Sequence, residues 1–220
     1  GFSSDSCLLY HRNIPSTVTA AAIWEVTDQT LTPNHPLRPL HLKLHYLFAP
    51  DASGIDAVTG RRLILGNSDV RISYVVADAP SPFYRNGIGD ECVYIERGSA
   101  RVETVFGAFD VGRGDYVMIP RATTHRWLPK PASEDPDGES LRAYAIEANS
   151  HIAPPKRYLS RYGQLLEHAP YCERDLRVPD GPLLAEDIGA DPSEVTEVYI
   201  KHRGPGQGGI AGSIHTHPFH

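Results

Sequence analysis

The chain has 220 residues with 21 positive and 27 negative side chains, a formal charge of -6; it can bury one substantial core but carries no broad basic field for a nucleic-acid backbone. No apolar run approaches the ~18 residues that cross a bilayer, and no basic flank leads an apolar stretch at the N-terminus, so a soluble, unsecreted, cytoplasmic protein is expected, without membrane or nucleic acid as partner. Cys7, Cys92 and Cys172 are too few and too far apart for a disulfide framework or a zinc knuckle, and 19 glycines with 19 prolines favour turns and loops over a helical bundle.

The chain opens at Gly1 although its sole methionine is Met118, and it stops at His215-Thr216-His217-Pro218-Phe219-His220, so residues are expected before Gly1 and the C-terminal end reads as a cut. In Leu40 to Phe48 a large apolar residue recurs at every second position, which predicts a half-buried strand with His41 and His45 on its solvent face. Val70 to Val76, Glu91 to Glu96, Ala100 to Phe106, Ala108 to Val111, Tyr116 to Ile119 and Leu141 to Ile146 repeat the strand character, rich in Val, Ile, Tyr and Phe. Glycines at 87, 89, 98, 107, 112 and 114 punctuate them as turns, so an antiparallel all-β barrel or sandwich is predicted there. Lys130 to Glu139 reads as a solvated excursion between strands, Ser160 to His168 as a short helix, and the glycine-rich Arg203 to Ser213 as a mobile loop or linker. His215, His217 and His220 cluster at this end, and the alternating His215 and His217 could chelate, though a strand explains them equally well. The division that follows is 1–64 as N-terminal strands on the barrel, 65–150 as the barrel, and 151–220 as an extension and linker toward a missing second domain.

The most specific pattern lies between Tyr84 and His125. Asn86, Glu91 and Gly98, then Gly114, Pro120 and His125, have the intervals of the two-part cupin signature, His-x-His-(x)3–4-Glu-(x)6-Gly and Gly-(x)5-Pro-x-Gly-(x)2-His. The chain therefore resembles the cupin family, whose fold is a double-stranded β-helix, a jelly-roll-like barrel in which these side chains converge on one cation. The departures matter as much. Tyr84 and Asn86 stand where the signature has histidines, and Ala122 stands where it has glycine, leaving Glu91 and His125 as the remaining good ligands. Two ligands hold a transition metal poorly. The preferred reading is that Glu91 and His125 are satisfied polar groups and that no metal binds, with a vestigial metal site as the alternative; Glu91 is then expected to accept hydrogen bonds from Arg85, His125, Tyr84 or a backbone amide. Cys92 follows Glu91 directly and should face the other way.

Further segments carry a closer resemblance. Asn67-Ser68-Asp69-Val70-Arg71, Tyr84-Arg85-Asn86 with Asp90-Glu91, Gly114-Asp115-Tyr116-Val117-Met118-Ile119-Pro120, Pro154-Pro155-Lys156-Arg157-Tyr158-Leu159 and Pro170-Tyr171-Cys172-Glu173-Arg174-Asp175 look like the N-terminal half of homogentisate 1,2-dioxygenase. The resemblance implies a bicupin that opens the ring of homogentisate with O2 to maleylacetoacetate in tyrosine and phenylalanine breakdown, as a homotrimer or a dimer of trimers. It implies Fe(II) held by two histidines and a glutamate of the second cupin, in motifs that have no counterpart in these 220 residues. No catalytic residue carries over, and this chain alone is expected to be inactive and without cofactor. The alternative is a non-catalytic, metal-free cupin serving as a binding or assembly module; the reading frame after His220 separates the two.

Overall fold

The computed structural model describes residues 9–14, 18–24, 30–49, 52–202 and 216–220, and the backbone of 209–214. Among these, helix is confined to 3-10 turns of three or four residues, and strands carry the architecture. In chain order the strands are β1 (Val18–Trp24), β2 (Arg62–Gly66), β3 (Val70–Ala77), β4 (Phe83–Asn86), β5 (Asp90–Arg97), β6 (Ala100–Thr104), β7 (Gly107–Val111), β8 (Tyr116–Ile119), β9 (His125–Pro129), β10 (Leu141–Ala148), β11 (Thr196–Lys201) and β12 (Gly209–Ile214). β3, β5 and β10 are the longest at eight residues each, and β5 and β10 alternate buried with partly exposed positions over most of their length, as a pleated strand with one buried face must.

One sheet has the order β2-β3-β10-β5-β8; the other runs β1-β12-β11-β4-β9-β6-β7. Every pairing is antiparallel except that of β11 with β4. Within β3 to β10 the chain switches sheet at every connection but β6 to β7, which gives the two orders 3-10-5-8 and 4-9-6-7. Two interlocked Greek keys in those orders make a jelly roll, the double-stranded β-helix of cupin barrels. The predicted all-β cupin class is the fold observed.

The inward residues of the first sheet, among them Val75, Ile95, Ile119 and Ala143, meet Tyr84, Val102, Val111 and Trp127 of the second in one contiguous core. The outward face of the first sheet carries two unbroken cross-strand rows: Arg62, Tyr74, Tyr144, Tyr94 and Tyr116 in one, Leu65, Ile72, Ile146, Cys92 and Met118 in the next. Neighbouring tyrosine rings lie 4.8 to 6.2 Å apart, within the range where edge and offset contacts add to burial. Cys92 thus points away from Glu91, as the alternation requires.

Three expectations outside the barrel are corrected. Leu40 to Phe48 is no strand: it runs into a 3-10 turn at Leu44–Leu47, and Leu40, Leu42 and Tyr46 are 69%, 50% and 73% exposed. Pro33, Pro36 and Pro39 precede it and lack the amide donors a ladder needs, so alternation alone finds no partner strand. Phe48 reaches the barrel, 6.2 Å from the Tyr74 ring with the Arg62 guanidinium 4.7 Å over it. Ser160 to His168 is a chain reversal and not a helix. Ser160 Oγ accepts the amides of Tyr162 and Gln164, and Leu159 bridges to Leu165, so the side chain competes for the bonds a helix would need. In the glycine-rich tail, 203–208 lie outside the described residues, but Gly209–Ile214 is a strand between β1 and β11. The segment read as linker is, in that part, sheet.

The position where the signature expects glycine carries backbone strain. Ala122 has φ 66°, in the left-handed region that costs a side chain ~1–2 kcal/mol, and its amide is fixed to Asn86 O at 2.7 Å. Ala122→Gly is expected to stabilise the protein by about 0.5–1 kcal/mol, after the added freedom of glycine in the unfolded chain is deducted, read as a higher urea midpoint. An unchanged or lower midpoint would count against strain at this turn.

Candidate functional site

The residues of the two-part signature meet between the sheets. Glu91 projects inward from β5, Tyr84 and Asn86 from β4, and His125 from β9, where it is the register partner of Tyr84. A carboxylate so enclosed requires a cation or several donors. The cation is Arg61, which stands in the turn before β2. Its Nη1 lies 2.9 Å from Glu91 Oε2, its Nε donates to Ala57 O at 2.8 Å, and its guanidinium sits 5.8 Å over the Tyr84 ring. Glu91 is 0% exposed and Arg61 8%. The turn is held by Asp56, whose Oδ1 accepts the amides of Val58 and Thr59 at 2.7 and 2.8 Å.

The other Glu91 oxygen, Oε1, accepts Asn86 Nδ2 at 2.8 Å, and the same amide nitrogen donates to Glu147 Oε1 at 3.0 Å. Asn86 Oδ1 accepts the amides of Ile88 and Gly89, which fixes the orientation of the side chain. Glu147 in turn is paired with Lys201 Nζ of β11 at 2.6 Å. The axis therefore reads as two ion pairs, Arg61 with Glu91 and Lys201 with Glu147, joined by one amide. Tyr84 also hydrogen-bonds Glu91, and its phenol is pushed well above the ordinary range, first by burial and then by the Glu91 and Glu147 charges. Burial alone would raise the Glu91 carboxyl; the Arg61 guanidinium, first, and the Asn86 hydrogen bond outweigh it and hold the group at about 2. Burial likewise pushes His125 down, so the ring is neutral. Its Nδ1 lies 3.1 Å from Thr123 O, which makes Nδ1 the donor, and its buried Nε2 has no hydrogen-bond partner.

Glu91 and His125 are thus brought into one cluster, as are Tyr84 and Asn86. The expected partner Arg85 is not there. It lies between the inward Tyr84 and Asn86 on β4, and its Nε donates to Thr124 Oγ1 at 2.8 Å. Arg61 and Lys201 were missed because both lie outside the signature. One signal existed: Arg61 and Arg62 are adjacent at the start of a strand, so one of the two must face inward.

These side chains do not fit a divalent metal as they stand. Both oxygens of Glu91 are taken by donors, Asn86 Oδ1 is committed to backbone, and a guanidinium already supplies the positive charge. Elsewhere, His41 and His45 are exposed. His215 lies outside the described residues, and His217 and His220 are buried with ring nitrogens turned to backbone: His217 Nδ1 accepts the Phe219 amide, and the two nitrogens of His220 face His217 O and Asn13 O. Among the described residues no three His, Cys, Asp or Glu side chains come together as a metal site. No described helix is long and apolar enough to cross a membrane.

No protein-family model matches the chain. It is similar to a protein of Saccharolobus solfataricus named "Putative dioxygenase SSO1533", 32% identical over 181 residues, which is 81% of this chain and 44% of that protein. The chain thus spans less than half the length of that relative. Solved structures with likeness to it include a cupin-2 domain protein of Shewanella frigidimarina, at 16% identity and a TM-score of 0.37 over 47% of this chain and 87% of that one. Another is protein NMB1881 of Neisseria meningitidis, at 15% identity and 0.38 over 50% and 99%. The cupin fold rests on the strand order above and not on these scores.

Proposed function

We propose that this chain is the N-terminal, non-catalytic cupin of an iron(II)-dependent dioxygenase that opens homogentisate with O2 to maleylacetoacetate. The observation that carries the reading is the 32% identity over most of this chain to a protein named a dioxygenase, of which the matched part is under half. The segments from Asn67 to Asp175 that resemble homogentisate 1,2-dioxygenase narrow it to that substrate. The interior supports the same division of labour, because Glu91 is paired there with the Arg61 guanidinium, and Glu91 and His125 are the two good ligands where an iron centre needs three.

Iron(II) would supply the oxygen chemistry from the second half of the longer protein. This chain's residues do structural work: they close a barrel, neutralise its buried carboxylates by Arg61 and Lys201, and present exposed apolar residues at Leu37, Leu40 and Tyr46 that a second domain or neighbouring subunit would cover. Assembly as trimers or pairs of trimers, in the cytoplasm, belongs to the same proposal. With homogentisate and added iron(II), the product of the complete reading frame is expected to consume oxygen and the verified 220-residue chain to consume none. Turnover by the 220-residue chain would place the active site in this barrel and overturn the reading.

A further inference from the structure

The buried centre holds a carboxylate, an imidazole and a phenol at the positions where the two-part signature gathers its metal ligands, and it holds a cation too. That cation comes from outside the signature. Arg61 is carried in from a turn thirty residues before Glu91, anchored through Asp56 and Ala57, and set against the inner side of Tyr84. His125 points an unpartnered, buried Nε2 into the protein interior, with Nδ1 committed to Thr123 O. An imidazole in that tautomer presents a lone pair and not a proton, the form in which a histidine ligates.

We propose that Arg61 is a built-in replacement for a metal ion: its guanidinium supplies the positive charge at the convergence point and is itself what keeps a divalent ion out of this barrel. Loss of histidine at position 84 is then insufficient to explain a metal-free centre, and returning it is insufficient to make a site. With Arg61 present, an incoming dication meets a fixed positive charge and a carboxylate already engaged. With Arg61 removed, Glu91 is an unpaired buried anion beside an imidazole lone pair, and one further nitrogen at position 84 completes three good ligands. This barrel would keep its internal cation whatever reaction the longer protein performs, so the two proposals fail separately.

The test compares Tyr84→His with the double variant Tyr84→His/Arg61→Ala in the 220-residue chain, titrated with Co(II) for its visible absorption and dialysed against Zn(II) for elemental analysis. The double variant is expected to retain about one ion per chain and to bind at least ~100-fold more tightly than the single variant. Stoichiometric binding by Tyr84→His alone would overturn the proposal, as would a folded double variant that binds no better. If the double variant does not fold, Arg61→Ala/Glu91→Gln is compared with Arg61→Ala by thermal unfolding. Recovery of several degrees on removing the Glu91 charge is expected if Arg61 serves to neutralise it. No recovery would mean that Arg61 acts by packing alone, and the proposal would fall.

Discussion

Glu91→Ala is expected to cost about 3–5 kcal/mol of stability, because it strips the counter-ion from a guanidinium that is almost wholly buried. Arg61 would keep its bond to Ala57 O but lose its carboxylate at 2.9 Å, and Asn86 would lose one of its two acceptors. Equilibrium unfolding in urea measures the loss directly; a change under about 1 kcal/mol, the scale of an exposed pair, would show that the buried pair is not holding the barrel. The same pair sets an acid limit. The folded carboxyl sits at about 2 against an ordinary 4.5, so its contribution is complete above pH 4.5 and drains away as the pH falls toward 2. His125 acts in the same direction. Its pKa is depressed by burial, so the unfolded chain takes up a proton more readily, and stability falls as the pH drops below 6.5. Wild-type stability should therefore decline in two overlapping steps on acidification, and Glu91→Ala should lack the lower one.

Gly98→Ala is expected to cost about 3 kcal/mol, or roughly 10 °C in melting temperature for a chain of this size. Two effects add. Gly98 sits at φ 70° in the turn from β5 to β6, where a side chain costs ~1–2 kcal/mol. A Cβ there would also lie 2.6 Å from Ser140 C and O and 2.7 Å from Leu141 N, backbone atoms at the entry to β10 that move only by displacing a central strand, worth a further ~1–3 kcal/mol. Gly114→Ala separates the terms, since Gly114 has φ 91° but nothing within 4 Å of a Cβ. Equal losses at the two positions would show that contact with β10 contributes nothing.

The barrel was legible because its strands have one wet and one dry face, and period two survives in Val93, Ile95, Val117, Ile119, Ala143 and Ala145. The signature intervals were legible for a related reason: they count residues between inward positions, and Glu91 and His125 do meet in one cluster. β4 and β9 escaped notice since they are short and carry their meaning in polar residues, Tyr84, Asn86 and His125, that a search for apolar alternation passes over. β12 escaped because Gly209, Gly212 and their small neighbours give no pattern to read. Leu40 to Phe48 misled in the opposite sense, offering alternation without an edge to pair with. Arg61 was the costliest omission: its role depends on which carboxylate a turn thirty residues away happens to face, and only tertiary structure supplies that.

β10 gives the fold an order in time. It is the strand that joins β3 to β5, which do not pair with each other, so until residues 141–148 are in place the first sheet exists only as two separate strand pairs, the β2–β3 hairpin and the non-consecutive β5 with β8. Val70 waits for Ala148 and Ala77 for Leu141. At ~5–20 residues per second a ribosome needs on the order of several seconds to span that gap. During it, the open edges of β3 and β5, with Tyr74 and Tyr94 beside them, are available to any passing strand. The nascent chain therefore has a window of vulnerability fixed by topology, which closes when its tenth strand is threaded between the third and the fifth.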